Sequence, residues 1–80
     1  MQRLEFVLDR EFIELNQLLK LAGLADSGGA GKALVASGQV RVDGAPELRK
    51  TAKIRAGQVV RLGSAEIRVS GALTPDPRRV

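Results

Sequence analysis

The sequence predicts one α+β domain, in which two short helices pack on a small antiparallel sheet built from hairpins. Apolar residues recur with helical spacing between about residues 14 and 38, and they alternate with polar residues before and after that stretch. A chain of 80 residues can bury only one core, so residues 1–70 are expected to form a single domain. Residues 71–80 contain two prolines and no period, and they are expected to be a flexible tail.

The first strand and the first helix follow from the spacing of the apolar residues. Leu4, Phe6 and Leu8 alternate with Arg3 and Glu5, which is typical of a strand with one buried face. Between about residues 14 and 22, four apolar residues recur at helical positions i, i+3, i+4 and i+7: Leu15, Leu18, Leu19 and Ala22. A glycine at position 23 then stands where a left-handed cap ends a helix.

A second helix is predicted to begin after Asp26 or Ser27, either of which can be its N-cap, and to end at Gly38. Its predicted inner face contains Ala30, Ala33, Leu34 and Ser37.

Three glycines near the start of this helix require an explanation, because each costs about 1 kcal/mol relative to alanine in a helix interior. They are Gly28, Gly29 and Gly31. The glycines either allow close packing on the first helix or the sheet, or they allow a ligand backbone to reach the positive helix end. A nucleotide-binding P-loop is excluded, because that motif needs glycine at position 26 and serine or threonine at position 33.

After residue 39 apolar and polar residues alternate with a period of two, which predicts hairpins. Val40 and Val42 face one way, and Arg41 faces the other. Three dipeptides are predicted to form the turns between strands: Asp43-Gly44, Ala56-Gly57 and Gly63-Ser64. The residues of this half that are predicted to face the core are Leu48, Ile54, Ile67 and Val69.

The composition excludes several classes of function. Cysteine and histidine are absent, so disulfides, thiolate metal sites and Ser-His catalysis lack their residues. We therefore expect a protein that is not an enzyme and has no cofactor. The two aromatic residues, Phe6 and Phe12, are assigned to the core. No apolar run is long enough for a membrane span or a signal peptide, so a cytoplasmic location is expected.

The positive charge is concentrated in the middle of the chain. The formal net charge is +4, and residues 32–61 contain seven basic and two acidic side chains. Residues 1–26 instead contain three basic and five acidic side chains. A basic segment of this kind suits a polyanion, and nucleic acid is the commonest one. The alternative is that these residues only keep the polar faces of the strands in water.

The order of helix, short turn, helix, glycine and hairpin resembles the S4-type RNA-binding domain, whose helices and hairpin are called the αL motif. The similarity extends from about residue 14 to residue 60 without an insertion. The residues that carry it are Ser27, Lys32, Gly38, Val40 to Gly44, Arg49 and Gly57 to Val60. Segments such as QLLKLAG and GQVRVDG are similar in particular to small stand-alone bacterial proteins of the YbcJ type.

The sequence departs from the S4 pattern at four positions. Glu14 and Gly28 stand where many such domains have arginine, Asp43 replaces asparagine, and Lys50 replaces proline. The first two changes remove positive charge from the helical side, whereas Lys50 and Lys53 add it after the hairpin. We therefore expect the binding surface to be shifted toward the segment that follows the hairpin turn.

The resemblance implies a monomer that binds structured RNA, with ribosomal or transfer RNA as the expected partner and association with the ribosome as a further expectation. Recognition would use the phosphate backbone and the shape of the RNA. The candidate RNA-binding residues are Lys20, Lys32, Arg41, Arg49, Lys50, Lys53 and Arg55. One alternative is a protein-interaction adaptor that docks on an acidic partner in a ribosome-associated or RNA-processing assembly. Another is an accessory domain of a split enzyme. No membrane partner is expected.

Overall fold

The computed structural model describes residues 2–71, which form two helices and seven strands. In chain order, the elements are β1 (Gln2–Leu8), β2 (Ile13–Glu14), α1 (Leu15–Leu21), α2 (Gly28–Ala36), β3 (Val40–Val42), β4 (Ala45–Pro46), β5 (Lys53–Ile54), β6 (Val59–Leu62) and β7 (Ala65–Gly71). The prediction of an α+β fold with two short helices is confirmed. Neither helix in this part of the chain is long and apolar enough to span a bilayer.

The tail predicted for residues 71–80 lies outside the described residues, except for Gly71, which is the last residue of β7.

Most of the main sheet consists of the predicted hairpins. Its five strands have the order β1-β7-β6-β3-β4. Strand β3 pairs antiparallel with β4 and with β6, and β6 pairs antiparallel with β7. The turn between β3 and β4 has two residues in the left-handed region, Asp43 with φ 52° and Gly44 with φ 86°. This conformation matches the twist of two strands joined by a two-residue turn.

The sheet is mixed rather than wholly antiparallel, because β1 runs parallel to β7. Leu4 pairs with Ile67 and Phe6 with Val69, so both strands direct apolar residues to the core. Parallel neighbours need a long crossover connection, and the rest of the domain, with both helices, provides it. The alternation in β1 is the same for a parallel and an antiparallel partner. For this reason the sequence predicted the strand but not its direction.

A second, two-stranded sheet leads into the first helix. Ile13 of β2 pairs with Ile54 of β5, and both side chains are buried. The predicted helix start at about residue 14 is one residue early, because Glu14 belongs to β2. Two residues are too few to show a period, so the sequence did not predict this strand.

Local chemistry determines the ends of α2. Ser27 is the N-cap, and its Oγ accepts a hydrogen bond from the backbone N–H of Ala30 at 3.1 Å. The structure therefore selects Ser27 over Asp26. At the other end Gly38 has φ +83°, a left-handed conformation that favours glycine after a helix.

The predicted inner face of α2 is correct in part. Ala30 and Leu34 are partly buried and pack against the core, whereas Ala33 and Ser37 are exposed. The fully buried residues of α2 are Gly31 and Val35. A Cβ atom on Gly31 would lie 2.6 Å from the backbone oxygen of Asn16, so α2 contacts α1 directly at this glycine. Close packing therefore explains Gly31. The sequence pattern missed Gly31 because glycine has no side chain to enter a pattern of apolar residues.

Aliphatic side chains from both helices and from both sheets form the core. The largest fully buried apolar residues are Leu8, Leu15, Leu18, Leu19, Val35, Val40, Ile54, Val60 and Ile67. The prediction that Leu48 is a core anchor is wrong, because its residue surface is 64% exposed. Strand β4 ends at Pro46, so Leu48 lies on a segment that has left the sheet and covers Gly38 at the surface.

Candidate nucleic-acid interface

Residues 47–55, which follow the first hairpin, form the return arm. It contains four of the predicted binding residues: Arg49, Lys50, Lys53 and Arg55. The backbone N–H of Leu15 donates to the Ala52 oxygen at 2.9 Å, and that of Asn16 donates to the Lys50 oxygen at 3.0 Å. The first amides of a helix have no partner within the helix, and α1 has no side-chain cap. The return arm therefore caps α1, and the helix holds the arm in place.

Within the return arm, Glu47 orients Arg49. Arg49 Nε donates to Glu47 Oε2 at 3.1 Å, Nη2 donates to Oε1 at 3.2 Å, and the backbone N–H donates to Oε2 at 3.0 Å. These hydrogen bonds lower the pKa of Glu47 and raise the pKa of Arg49. The Arg49 side chain is 79% exposed, and within residues 2–71 three of its five N–H groups have no protein acceptor, so they are open to a ligand. Arg49 is thus oriented, but its charge is partly neutralised.

Lys53 and Arg55 lie over the ring of Phe12. Lys53 Nζ is 4.9 Å from the ring centroid, and Arg55 Cζ is 5.8 Å from it. Both distances are typical of cation–π interactions. The assignment of Phe12 to the core is wrong, because this residue is partly buried and lies outside the core cluster. Pairing of β2 with β5 brings the loop residue Phe12 to the return arm instead.

The return arm also lines a shallow groove of about 440 Å³, whose lining residues are Arg49, Thr51, Ala52 and Lys53. Lys50 is exposed next to Thr51. Among residues 2–71, the side chains of Lys50, Lys53 and Arg55 form no ion pair. Ammonium and guanidinium groups without a carboxylate partner can bind phosphate oxygens. The arrangement therefore suits an anion with several charges spread along a chain.

The other three predicted binding residues lie on different surfaces. Lys20 is exposed in the last turn of α1, and Lys32 is exposed on α2 next to the buried Gly31. Arg41 is exposed on β3, directly opposite Arg61 of β6 on the outer face of the main sheet. The structure thus brings four of the seven residues together in the return arm and distributes the rest.

A cluster on that outer face was not predicted from the sequence. Glu66 has a side chain only 8% exposed, and its Oε1 accepts hydrogen bonds from Arg61 Nε at 3.1 Å and Nη2 at 2.9 Å. Its Oε2 accepts one from Arg68 Nε at 3.3 Å. These bonds, that of Arg61 foremost, lower the pKa of Glu66 although burial acts in the opposite direction. The Gly63-Ser64 turn was the available signal, because a two-residue turn places Arg61 opposite Glu66.

Asp43 stabilises the hairpin with both of its carboxylate oxygens. Oδ1 accepts a hydrogen bond from the backbone N–H of Val59 at 2.9 Å, and Oδ2 accepts one from Gln58 Nε2 at 3.1 Å. An asparagine has one side-chain oxygen and could not accept both in the same way. The aspartate in place of the usual asparagine therefore ties the first turn to β6.

The fold thus combines two helices, a hairpin and a basic arm that caps the first helix. Residues 6–70 match the family model of the S4 domain. This chain belongs to the S4 domain family. The match spans both helices, the hairpins and the return arm, and it confirms the resemblance found in the sequence.

Relatives of known origin agree with this assignment. YbcJ from Escherichia coli strain K12, named as a candidate RNA-binding protein, is 49% identical over 57 residues, which cover 71% of this chain and 81% of that protein. The YbcJ protein of Shigella flexneri, named as uncharacterized, is similar to the same extent. The solution structure of E. coli YbcJ, described as revealing an αL motif involved in RNA-binding, has a TM-score of 0.63 at 41% identity and covers 88% of this chain and 87% of that one.

Proposed function

We propose that this chain binds structured RNA through the phosphate backbone and the shape of the RNA, without catalysis. The observation that carries the proposal is the return arm of an S4-family fold. It presents Lys50, Lys53 and Arg55 without ion-pair partners in the described part of the chain, and hydrogen bonds to α1 hold it in place. The proposed ligand is ribosomal or transfer RNA in the cytoplasm. We further propose that the protein acts as a monomer and associates with the ribosome.

Recognition by shape rather than by unpaired bases follows from the aromatic residues. Proteins that bind unpaired bases stack them on exposed aromatic rings. In this chain Phe6 packs against the core, and Lys53 and Arg55 lie over the ring of Phe12. The return arm therefore offers charge to the backbone and no free ring to a base. The RNA binding named for E. coli YbcJ supports the same ligand class.

The test is a fluorescence anisotropy titration of a labelled stem-loop RNA at several salt concentrations. Four phosphate contacts by the return arm should contribute roughly −2.8 to −3.6 to the slope of log K against log salt, because each contact releases condensed cations. Substitution of Lys50→Gln together with Lys53→Gln should flatten the slope by roughly 1.5 to 2 units and weaken binding to every stem-loop tested. The matched control, Lys50→Arg with Lys53→Arg, keeps both charges and should keep the slope.

An unchanged slope in the glutamine variant would remove the return arm from the binding surface. A wild-type slope near zero would instead favour the adaptor function. An acidic protein partner lacks a dense counterion layer, so its complex should show a shallow dependence set by ordinary screening over about 8 to 10 Å.

A further inference from the structure

The outer face of the main sheet carries a row of charges across four strands. Arg41 of β3 lies opposite Arg61 of β6, Arg61 lies opposite Glu66 of β7, and Glu66 lies opposite Arg3 of β1. Arg41, Arg61 and Arg68, with Glu66 between them, form the arginine face. They line a groove of about 670 Å³.

The groove has a net charge of +1, because its lining contains three arginines and the two carboxylates of Asp43 and Glu66. Neighbouring strands lie about 4.8 Å apart, and like charges directly opposite each other destabilise a sheet. Arg41 and Arg61 are such a pair. Within residues 2–71 the Arg41 side chain forms no hydrogen bond and no ion pair. No hydrogen bond or ion pair within residues 2–71 therefore requires an arginine at position 41.

The nearby carboxylates do not supply the missing partner. Both oxygens of Asp43 accept hydrogen bonds from neutral donors of Gln58 and Val59. Glu5 of β1 lies opposite Arg68 but forms no ion pair with it. Glu66 is the one carboxylate in the described residues that binds this cluster, and it binds two arginines at once.

Glu66 acts as a positioning residue for the guanidinium groups. It accepts hydrogen bonds from two of the five N–H groups of Arg61 and from one of those of Arg68. Within residues 2–71, three N–H groups of Arg61 and four of Arg68 therefore have no protein acceptor. All five N–H groups of Arg41 are free of protein acceptors in the part of the chain that the structure describes. A planar guanidinium binds a phosphate with two parallel hydrogen bonds, which makes an oriented arginine a phosphate ligand.

The lining of the groove also indicates which part of a nucleic acid it fits. Its residues are Arg41, Asp43, Gly44, Val59, Arg61, Glu66 and Arg68. None of them is aromatic, so the groove has no ring on which a base could stack. It shares no lining residue with the groove of the return arm.

We propose that the arginine face is a second phosphate-binding surface, which binds the backbone of another segment of the RNA held by the return arm. The inference rests on the proposed function, and it makes Arg41 and Arg61 direct phosphate ligands on the side of the sheet opposite to the core. The domain would then contact a folded RNA at two separate segments of its backbone.

The experiment compares wild type, Arg41→Gln, Arg41→Lys and the return-arm variant Lys50→Gln/Lys53→Gln on the same labelled stem-loop RNA over a range of salt. We expect Arg41→Gln to flatten the salt slope by close to one unit and to weaken binding severalfold, while its melting temperature stays equal or rises because a like-charge pair is removed. Arg41→Lys keeps the charge, so the salt slope should stay the same. Only the part of the RNA affinity that comes from the bidentate arginine–phosphate contact should be lost. In the RNA complex, the Nε–H resonances of Arg41 and Arg61 should shift in the ¹H–¹⁵N spectrum.

The outcomes separate this inference from the proposed function. If Lys50→Gln/Lys53→Gln weakens binding while Arg41→Gln changes neither slope nor affinity, the arginine face is not a binding surface and the proposed function stands. If wild type shows no salt-dependent binding to the RNA, both proposals fall. Loss of RNA binding by Arg41→Gln together with a lowered melting temperature would assign Arg41 to the fold and would also overturn the inference.

Discussion

Gly31 is the residue at which the two helices meet. A Cβ atom there would lie 2.6 Å from the backbone oxygen of Asn16 and 3.3 Å from its carbonyl carbon. Both are main-chain atoms of α1, so no change of rotamer could relieve the contact. The close approach of α1 and α2 therefore depends on the absence of a single methyl group.

Replacement of Gly31 by alanine should lower the free energy of unfolding. The helices must move apart, which costs about 1–3 kcal/mol, and this cost should exceed the gain of about 1 kcal/mol that alanine brings as a helix former. Gly29→Ala is the matched control, since its new Cβ atom would have Ser27 Oγ at 3.8 Å as its nearest neighbour. That variant should be equally or more stable. Urea denaturation monitored by circular dichroism measures both, and equal stability of the two variants would contradict the packing role of Gly31.

Glu66 makes part of the stability dependent on pH. Hydrogen bonds from Arg61, and then from Arg68, lower its pKa in the folded protein below the ordinary value of 4.5. A carboxyl group with a lowered folded-state pKa stabilises the fold above its unfolded pKa, and this contribution is lost as pH falls through the folded-state pKa. We therefore expect Glu66→Gln to lower the melting temperature at neutral pH, and the difference from wild type to shrink well below pH 4.5.

Glu11→Gln provides the control for this pH experiment. Glu11 is exposed and forms no ion pair within residues 2–71. The Glu11→Gln variant should therefore have the melting temperature of wild type both at neutral pH and well below pH 4.5. A difference between Glu66→Gln and wild type that stays constant with pH would show that packing, rather than charge, stabilises Glu66.

At the scale of elements, the return arm is ordered although most of it lies outside helices and strands. Its carbonyl groups accept hydrogen bonds from the first turn of α1, and its last residues pair with β2. Phe12 then supports Lys53 and Arg55 from the side. Basic residues on a backbone that is already held in place lose less conformational entropy on binding than basic residues on a free loop.

A double-mutant cycle can measure the support that Phe12 gives to Lys53. Phe12→Leu and Lys53→Met each remove one partner, and we expect a coupling energy of about 0.5–1 kcal/mol in the free energy of unfolding. The control cycle combines Phe12→Leu with Arg41→Met, because Arg41 lies on the outer face of the main sheet and does not line the groove around Phe12, and its effects should be additive. Additivity in both cycles would show that the ring does not hold Lys53.

At the scale of the whole molecule, the main sheet separates two surfaces of different character. Its inner face and the helices share the aliphatic core, and its outer face carries the arginines. The strands and the return arm hold the backbone of the basic residues at fixed positions relative to this sheet. This arrangement of basic residues suits a folded RNA, whose phosphates are also fixed in space.

Affinity for a stem-loop RNA should therefore exceed affinity for an unpaired homopolymer of equal length by more than tenfold at matched salt. The reason is that a single strand must be ordered on the protein and finds no free aromatic ring in residues 2–71 to repay this cost. Anisotropy titrations of both RNAs in one buffer make the comparison. Equal affinities would remove recognition by shape and leave only nonspecific attraction.

The features that the sequence determined are local. Ser27 caps α2 because its Oγ reaches an amide three residues away, and the Asp43-Gly44 turn forms because both residues adopt left-handed conformations. The alternation in β1 and β7 and the helical spacing in α1 likewise depend on residues a few positions apart. The S4 spacing of these elements also placed the four basic residues together in one arm.

The tertiary structure decided the features that depend on distant residues. The parallel pairing of β1 with β7 joins residues about sixty positions apart, and the sequence period carries no information on strand direction. Which face of α2 is buried depended on the contact of Gly31 with α1, and the exposure of Leu48 depended on where the chain leaves the sheet. Arg41, Arg61 and Arg68 come together only because three strands bring them to one face. Local spacing predicts what each segment forms, whereas the partner of each face is selected by packing and charge across the whole fold.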